Sequence, residues 1–388
     1  MREEQGGKLL EQRYIQVPRR DDPPARPRGG RRQAKPRRRV KRRSFLPSIF
    51  LGIYRLLVFL SAIIVVTFLG MKFFVQPPAQ MPVVPPTIQT DPSLPATGDS
   101  SGGDDSGGLS QEEPIRVLTP RDKVYNILLA ATDKEGFRTD TMMVLCYDIP
   151  NQRVGVVSVP RDTLTRRPSG QNPKLVYGPG GVEQRREDIS AMLGIPIDYY
   201  VQVNIQGFVA LVDYLGGVDF YVPCDMDYDD PYQDLSIHFK KGQQHLDGRE
   251  AMEVARFRKN NDGSGYSDVG RTQTQQKLLV ALAKKVLSWN SLTRVNGFVE
   301  LFDQYVKTDL ELSDMLWFAS QAIYLDPSED VETATLEGRG DSLYRGYTYC
   351  YELDRAKAVD TVNRLLNPFD GELTLEDMDI LRAGNYMT

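Results

Sequence analysis

Four short stretches of this 388-residue chain put charge beside the end of an apolar segment. The first is Ala131-Thr132-Asp133-Lys134-Glu135-Gly136-Phe137-Arg138-Thr139-Asp140-Thr141. It carries carboxylates and one arginine between two strand-like runs, with a glycine for a tight path. The second, Pro160-Arg161-Asp162-Thr163, ends a third such run, and the third, Arg256-Phe257-Arg258, ends a helical one. In the fourth, Ser267–Gln275, Arg271 and Gln275 are four apart and so share a helix face. Together they offer Arg138, Arg161, Arg256, Arg258 and Arg271, with Lys174 as an outlying cation. Planar guanidinium forks match phosphate oxygens two at a time. Carboxylates grouped among them suit a hard cation such as Mg²⁺, held by oxygen ligands and by the phosphates themselves. The same set is also compatible with surface ion pairs, which contribute little.

The elements that must position these groups alternate between strand and helix signals. Val124–Ala131, Thr141–Tyr147 and Val154–Val159 are β-branched or apolar, the last two joined by the turn-forming Asp148-Ile149-Pro150-Asn151. Helical patterns follow at Val182–Leu193, Gln206–Leu215, Gly248–Arg258, Asp268–Trp289, Asp314–Tyr324 and Asp354–Leu366, with strands at Tyr199–Val203 and Val218–Val222. This alternation predicts an α/β fold, a central mixed β-sheet with helices on both faces. Strand ends in such sheets are where ligands usually bind. The acidic stretch Asp225–Asp234 lacks the glycine and glutamate spacing of a calcium loop and reads as a solvated lid. Leu278, Leu279, Leu282 and Val286 form an apolar helix face expected in the core. His245, just before a helix start, reads as structural, and Tyr199 and Tyr200 as half-buried strand residues.

Composition separates the N-terminus from the rest. Residues 1–72 hold 18 Lys/Arg against 5 Asp/Glu, a net +13, which leaves −17 for the remainder of a chain of −4 overall. Thirteen of the 25 residues Arg19–Arg43 are basic, and an apolar run, Phe45–Val75, follows at once. Its charge-free part, Leu56–Met71, covers roughly 24 Å as a helix, and flanking side chains can snorkel across the rest of a bilayer core. Positive charge on the N-terminal side predicts a cytoplasmic tail, with everything after Val75 outside. Forty-four preceding residues and Gln76-Pro77-Pro78 after the run argue against a cleaved signal peptide. The expected order is a disordered basic tail (1–44), a single transmembrane anchor (45–75), a Pro/Gly/Ser-rich linker (76–116) and a globular domain (117–388). The tail should attract anionic lipid headgroups. It has no recognition-helix pattern, so no specific nucleic-acid partner is expected. Three cysteines are too few for a disulfide framework, although Cys224 and Cys350 are candidates for pairing outside the cytoplasm. Two histidines, with no P-loop, G-x-S-x-G or C-x-x-C, argue against zinc, serine-hydrolase and redox chemistry.

Six motifs then occur in order. They are Asp133…Arg138-Thr139-Asp140-Thr141-Met142-Met143, Pro160-Arg161-Asp162-Thr163, Gly194-Ile195-Pro196-Ile197-Asp198-Tyr199-Tyr200, Leu215-Gly216-Gly217-Val218-Asp219, Gln244-His245-Leu246-Asp247-Gly248 and Arg256-Phe257-Arg258…Asp268-Val269-Gly270-Arg271. In this the chain resembles the LytR-CpsA-Psr family of cell-envelope proteins, strongly over Lys123–Lys285 and more weakly beyond. The order of tail, anchor, tether and extracytoplasmic domain is similar to the family's too. The resemblance implies an Mg²⁺- (or Mn²⁺-) dependent phosphotransferase in the cell membrane. Such an enzyme moves a glycopolymer from undecaprenyl pyrophosphate to a peptidoglycan sugar hydroxyl. By motif position, Asp133 and Asp140 bind the metal. Arg138, Arg161, Arg256, Arg258 and Arg271 hold the pyrophosphate with Gln275, Lys174 and Asp268, and Asp162 orients the arginines or acts as a base. Phosphoryl transfer needs positioned charge more than a reactive side chain, which agrees with the residue-level reading.

Two departures stand out: Thr274 where many relatives carry a basic residue, and a glycine-rich Lys174–Gly181 shorter than the family's usual form. Two rival functions use the same groups. A regulator that binds polyprenyl phosphates without turnover needs the arginines but not Asp133 and Asp140, so their presence favours an enzyme. A lipid pyrophosphatase would use the same site with water as acceptor.

Overall fold

The computed structural model describes residues 58–59, 61–62, 76–82, 118–133, 139–233, 235–265, 268–288 and 295–387. The chain divides into Met1–Val66 and Thr67–Thr388. In the first unit the four described residues are helical, and no described helix is long and apolar enough to cross a membrane. The expected basic tail, and all but those four residues of the expected anchor, lie outside the described residues.

In the second unit the chain begins with β1 (Val124–Thr132), β2 (Thr139–Asp148), β3 (Arg153–Ser158), α1 (Gly181–Leu193), β4 (Tyr199–Asn204) and α2 (Ile205–Tyr214). It continues through β5 (Val218–Val222), β6 (Met226–Asp230), β7 (Leu235–Phe239), β8 (Gly242–Leu246), α3 (Gly248–Arg256) and α4 (Asp268–Leu287). Next come α5 (Val295–Tyr305), β9 (Val306–Thr308), α6 (Leu312–Ala322) and β10 (Val331–Thr335). It closes with β11 (Gly338–Tyr344), β12 (Tyr347–Leu353), α7 (Arg355–Leu365) and β13 (Asn385–Tyr386).

Six strands form the central sheet in the order β10-β3-β2-β1-β4-β9. It is mixed: β1 and β4 are parallel, as are β10 and β3, while β1–β2, β2–β3 and β4–β9 are antiparallel. Both faces are covered, so the central strands read as near-continuous apolar runs. On one face Leu128, Met142 and Val144 pack against Ile189 and Leu193 of α1 and Val362 of α7. On the other, Tyr125, Met143 and Val156 meet Trp317 of α6, with Leu279 of α4 packed alongside. Each fully buried side chain of this kind contributes about 1.5–3 kcal/mol. A neighbouring cluster joins α2, α3 and α4 to β5–β8 through Val212, Phe220, Ile237, Val254, Phe257 and Leu278.

Several ends are set by local chemistry. Asp247 caps α3 in a reciprocal capping box with Glu250, and Asn204 caps α2 by accepting from the Gly207 N–H at 2.7 Å. Gly194 ends α1 at φ +67, where a Cβ would also run into the Asp377 carbonyl, so only glycine fits. Asp198 follows in the same motif, and its buried carboxylate accepts from the backbone N–H of Asn126 (2.8 Å) and of Met81 (2.7 Å). Within the stretch expected as linker, Pro78 and Ala79 accept hydrogen bonds from the Tyr125 and Tyr199 hydroxyls at 2.9 and 2.7 Å. Residues 76–82 therefore lie against the sheet.

The structure corrects four expectations. The acidic stretch Asp225–Asp234, expected as a solvated lid, instead supplies β6 of the β6–β7 hairpin, with Met226 buried while Asp227 and Asp229 point to solvent. Tyr200, expected half-buried, is 6% exposed. Val286 lies near the end of α4 and is exposed, unlike Leu278 and Leu282. Cys224 and Cys350 are both free.

Candidate functional site

The site grows from the antiparallel β2–β3 pair. Its register sets Met143 opposite Ser158, so the start of β2 lies beside the end of β3, and the Val159 N–H closes on the Met142 carbonyl at 2.9 Å. Past that bond the chain turns at Pro160, whose carbonyl accepts from both the Thr163 backbone N–H (3.0 Å) and hydroxyl (2.6 Å). The turn throws Arg161 back over the strand end, where its Nη1 donates to Asp140 Oδ1 at 2.6 Å. Its Nε is 3.5 Å from Asp162 Oδ2. Burial pulls the Arg161 pKa down, but the hydrogen bond it donates to Asp140 and the charges of Asp140 and Asp162 more than offset it, and the net shift is upward. The guanidinium stays charged in a half-buried setting.

Lys174 joins the site through backbone pairing. Leu175 and Val176 donate to the carbonyls of Thr163 and Arg161 at 2.9 and 2.8 Å, which lays this segment along the Pro160 turn. Lys174 Nζ thereby comes within 3.3 Å of Asp162 Oδ1. Asp162 is thus held between Arg161 and Lys174. Arg185, buried on α1, steadies the glycine-rich stretch by donating to the carbonyls of Val176 (3.2 Å) and Pro179 (3.1 Å).

Helix α4 closes the other side. Arg271, Thr272 and Gln275 line a cleft of about 40 Å³ with Asp140, Thr141, Arg161 and the β3 end. Gln275 donates to the Ala255 carbonyl at 3.1 Å and accepts from the Thr141 hydroxyl at 3.4 Å, tying α4 to α3 and β2. Gln276, one residue on, is 3% exposed and donates to Ser158 Oγ (2.9 Å), Ala334 O (2.6 Å) and Thr335 Oγ1 (3.3 Å). It therefore pins α4 to the ends of β3 and β10.

Of the residues expected at the site, Asp140, Arg161, Asp162, Lys174, Arg271 and Gln275 come together. Arg256 and Arg258 flank the buried Phe257 at the end of α3 and do not line the cleft. Arg256 donates instead to Gln233 Oε1 of the β6–β7 connection at 2.7 Å. Asp133 directly follows β1, Arg138 lies outside the described residues, and Asp268 opens α4 with its side chain also outside them. Thr274 is 2% exposed and donates to the Gly270 carbonyl at 3.0 Å, so a cation placed there would enter the packed side of α4 and not the cleft. Sequence reasoning missed Thr141, Gln276 and Arg185. Only the run of polar residues Thr272–Gln276, just before the apolar face of α4, hinted at a buried amide.

Asp133 and Asp140 offer oxygen donors alone, the set a hard divalent cation takes. A second donor group, Asp227, Asp229 and His238 on the β6–β7 hairpin, has ligand atoms within 4.8 Å of one another and is compatible with a divalent cation. All three are exposed. His238 Nδ1 lies 2.8 Å from Asp227 and Nε2 3.2 Å from Asp229, and the hydrogen bond to Asp227 raises its pKa above the usual value.

Comparison with known proteins gives the family. The LytR_cpsA_psr family matches residues 96–367. A polyisoprenyl-teichoic acid–peptidoglycan teichoic acid transferase, TagU of Bacillus mycoides (strain KBAB4), is 32% identical over 271 residues, 68% of this chain and 82% of that protein. TagV of Bacillus subtilis (strain 168), named as the same kind of transferase, is 31% identical over 262 residues. The match covers 64% of this chain and 66% of that protein, just under two thirds of its length. The crystal structure of B. subtilis TagV superposes with a TM-score of 0.53 at 28% identity, covering 62% of this chain and 95% of that one. With six motifs in order, residues of three of them meeting at the ends of β2 and β3, and a family match over residues 96–367, the chain belongs to the LytR-CpsA-Psr family.

Proposed function

We propose that the chain is a glycopolymer phosphotransferase of the outer membrane face. It takes a glycan from polyprenyl pyrophosphate and joins it through a phosphodiester to a peptidoglycan sugar hydroxyl. The observation that carries this reading is the convergence of Asp140, Arg161, Asp162, Lys174, Arg271 and Gln275 around one cleft. Relatives named as teichoic acid transferases support it. The apolar run 45–75 serves as the anchor, with the basic tail 1–44 on the cytoplasmic side against anionic lipids.

In the reaction the acceptor oxygen bonds to the glycan-side phosphorus and the bond from that phosphorus to the bridging oxygen breaks. Polyprenyl monophosphate leaves, and the hydroxyl proton is balanced on its new phosphate terminus. Charge grows on the bridging oxygen, where the guanidinium groups stabilise it. Arg161 and Arg271 line the cleft and grip the phosphate oxygens, while Asp162, held by Lys174, keeps the Arg161 plane in register. The cleft has room for about one water, so Arg161 must release Asp140 as the pyrophosphate enters. The freed carboxylate and Asp133 then suit Mg²⁺ or Mn²⁺, which when bound neutralises charge on the phosphate oxygens. Arg138, Arg256, Arg258 and Asp268 belong to this set by motif position.

The test uses the full chain purified from membranes, a polyprenyl-pyrophosphate-linked glycan, and peptidoglycan. Glycan should reach peptidoglycan with one polyprenyl monophosphate released per transfer, and only when peptidoglycan is present. Asp133→Ala and Asp140→Ala should keep the parent circular dichroism and lose Mg²⁺-dependent transfer. Lipid cleavage at the same rate without peptidoglycan would make the chain a pyrophosphatase. Binding of the donor with no cleavage at all would make it a regulator.

A further inference from the structure

Helix α6 is apolar on both sides. Its inner side carries the buried Trp317, with Phe318 packed into the cluster on that face of the sheet. Its outer side carries Leu312, Leu316 and, at the C-terminal cap, Ile323, which are 59%, 50% and 67% exposed. Spacings of four and seven residues place these three on one stripe. The other exposed positions along the helix, Ser313, Ala319 and Ser320, carry no charge. By contrast α7, across the sheet, turns Lys357, Asp360 and Arg364 outward. A surface helix ordinarily shows a charged face to water, and one that is apolar all round has an apolar neighbour on both sides. Among the described residues nothing covers the outer stripe of α6.

The place where the chain enters the domain indicates that neighbour. The apolar run ends at Val75, and residues 76–82 already lie beside α6. The Ala79 carbonyl is held by the Tyr199 hydroxyl, and the Tyr199 ring meets Phe318 of α6 edge-on with centroids 6.3 Å apart. The Pro78 carbonyl is held by the Tyr125 hydroxyl, and the Tyr125 ring meets Trp317 and Phe318 at 5.7 and 5.0 Å. Gln80 adds two bonds from its side chain, to the carbonyls of Arg121 (3.0 Å) and Val124 (2.8 Å). Four residues of fully extended chain span at most about 14 Å. Ala79 therefore stays within that distance of the end of the run, and α6 lies one aromatic ring further on. Residues 83–117 follow this pinned segment, so their length does not set how far the domain stands from the membrane.

We infer that the Leu312, Leu316 and Ile323 stripe docks into the surface of the lipid bilayer, an inference that rests on reading the run 45–75 as the anchor. Interfacial helices bury an apolar face about 5–10 Å into the boundary between headgroups and acyl chains. Tyr324, 67% exposed beside Ile323, suits the headgroup level. The attraction is apolar and not electrostatic. No Lys or Arg occurs from Leu310 to Asp330, and Glu311 and Asp314 are engaged in the reciprocal cap of α6. Unlike the basic tail, the stripe therefore needs no anionic lipid. Docked, α6 becomes a layer between the core of the sheet and the acyl chains, and the domain rests on the membrane instead of swinging from it.

The experiment uses the full chain reconstituted in phosphatidylcholine vesicles whose acyl chains carry bromine, a quencher of nearby tryptophan. Leu316→Trp puts a probe on the stripe, and Asp360→Trp puts one on the exposed side of α7. Each is read as the difference from the parent. The probe at 316 should lose most of its emission, most strongly to bromines high on the acyl chain, and the loss should persist at high salt. The probe at 360 should keep its emission. Adding Leu312→Glu and Ile323→Glu should restore emission at 316 without lowering the melting temperature, because both side chains are exposed. That variant should also stay in the vesicles through an alkaline carbonate wash, held by the anchor alone. Docking is overturned if the probe at 316 is unquenched, is quenched no more than the one at 360, or stays quenched beside the two glutamates. Emission at 316 that is blue-shifted but unquenched would mean that protein covers the stripe, either a second copy or residues 83–117, and also overturns it. Release of the parent by the wash would instead refute the anchor, and quenching at 316 would still decide the docking.

Discussion

Arg161→Lys keeps the charge at the centre of the site and removes its geometry. In the parent, one guanidinium reaches two carboxylates from different directions, Asp140 at 2.6 Å through Nη1 and Asp162 at 3.5 Å through Nε. An ammonium is a point charge without the fork and cannot present two parallel N–H groups to a phosphate. One charge-assisted hydrogen bond is worth about 1.5–3 kcal/mol, or roughly ten- to a hundredfold in affinity. The Arg161 side chain is 25% exposed, so water softens the loss and the lower end applies, near tenfold. The same ion pair gives an expectation of opposite sign. If Arg161 must leave Asp140 to meet the pyrophosphate, Asp140→Asn should tighten lipid binding about three- to tenfold when Mg²⁺ is chelated. With Mg²⁺ present it should weaken binding relative to the parent. The assay is calorimetric titration of the full chain in detergent with polyprenyl pyrophosphate, in Mg²⁺ and in chelator, at fixed salt. Lysine at 161 binding within twofold of the parent would refute phosphate recognition by the fork. Asp140→Asn weakening the lipid equally in both buffers would refute the competition.

Gln276→Leu removes the amide that joins α4 to β3 and β10 and leaves the Ala334 carbonyl without that bond. It should cost about 1–3 kcal/mol, lower the melting temperature by several degrees, and weaken donor binding through the displaced Arg271; an unchanged melting curve would show that the amide bonds contribute nothing. Asp198 is pushed up to about 6 by burial, against the N–H groups of Met81 and Asn126 that hold it down. Its folded pKa lies above the unfolded value near 3.9, so the folded state binds more protons between these values and stability falls as pH rises from about 4 to 6. The full cost, about 3 kcal/mol, is in place above that window. Asp198→Asn should flatten this slope in denaturation measured at pH 4 and pH 7, even though its NH₂ faces a backbone donor and lowers stability at every pH.

Periodicity and turn chemistry in the chain were enough to locate the central strands β1–β4, the helices α1–α4, α6 and α7, and the alternation that makes an α/β sheet. They were enough because each element's burial pattern is written in its own residues. Asp140, Arg161, Asp162 and Arg271 were legible for a related reason: a charged residue beside an apolar run has few places to go except the end of that element, and Gln275 shares the helix face of Arg271. Other features depend on partners far away in sequence. The β6–β7 hairpin was hidden because Asp227 and Asp229 occupy its solvent face, and high acidity masked the alternation with Met226 and Tyr228. β10 is a short run whose strand character comes from parallel pairing with β3. Gln276 looks like any helix-surface amide until Ser158, Ala334 and Thr335 arrive from two strand ends to bury it. The cavity of about 210 Å³ at the ends of β1, β4 and β9 exists only because these strands become neighbours, which no local pattern announces. Local sequence determined which elements form and which groups carry charge. The tertiary structure decided which charges meet, because hydrogen-bond register and side-chain burial are properties of paired elements and not of any one of them.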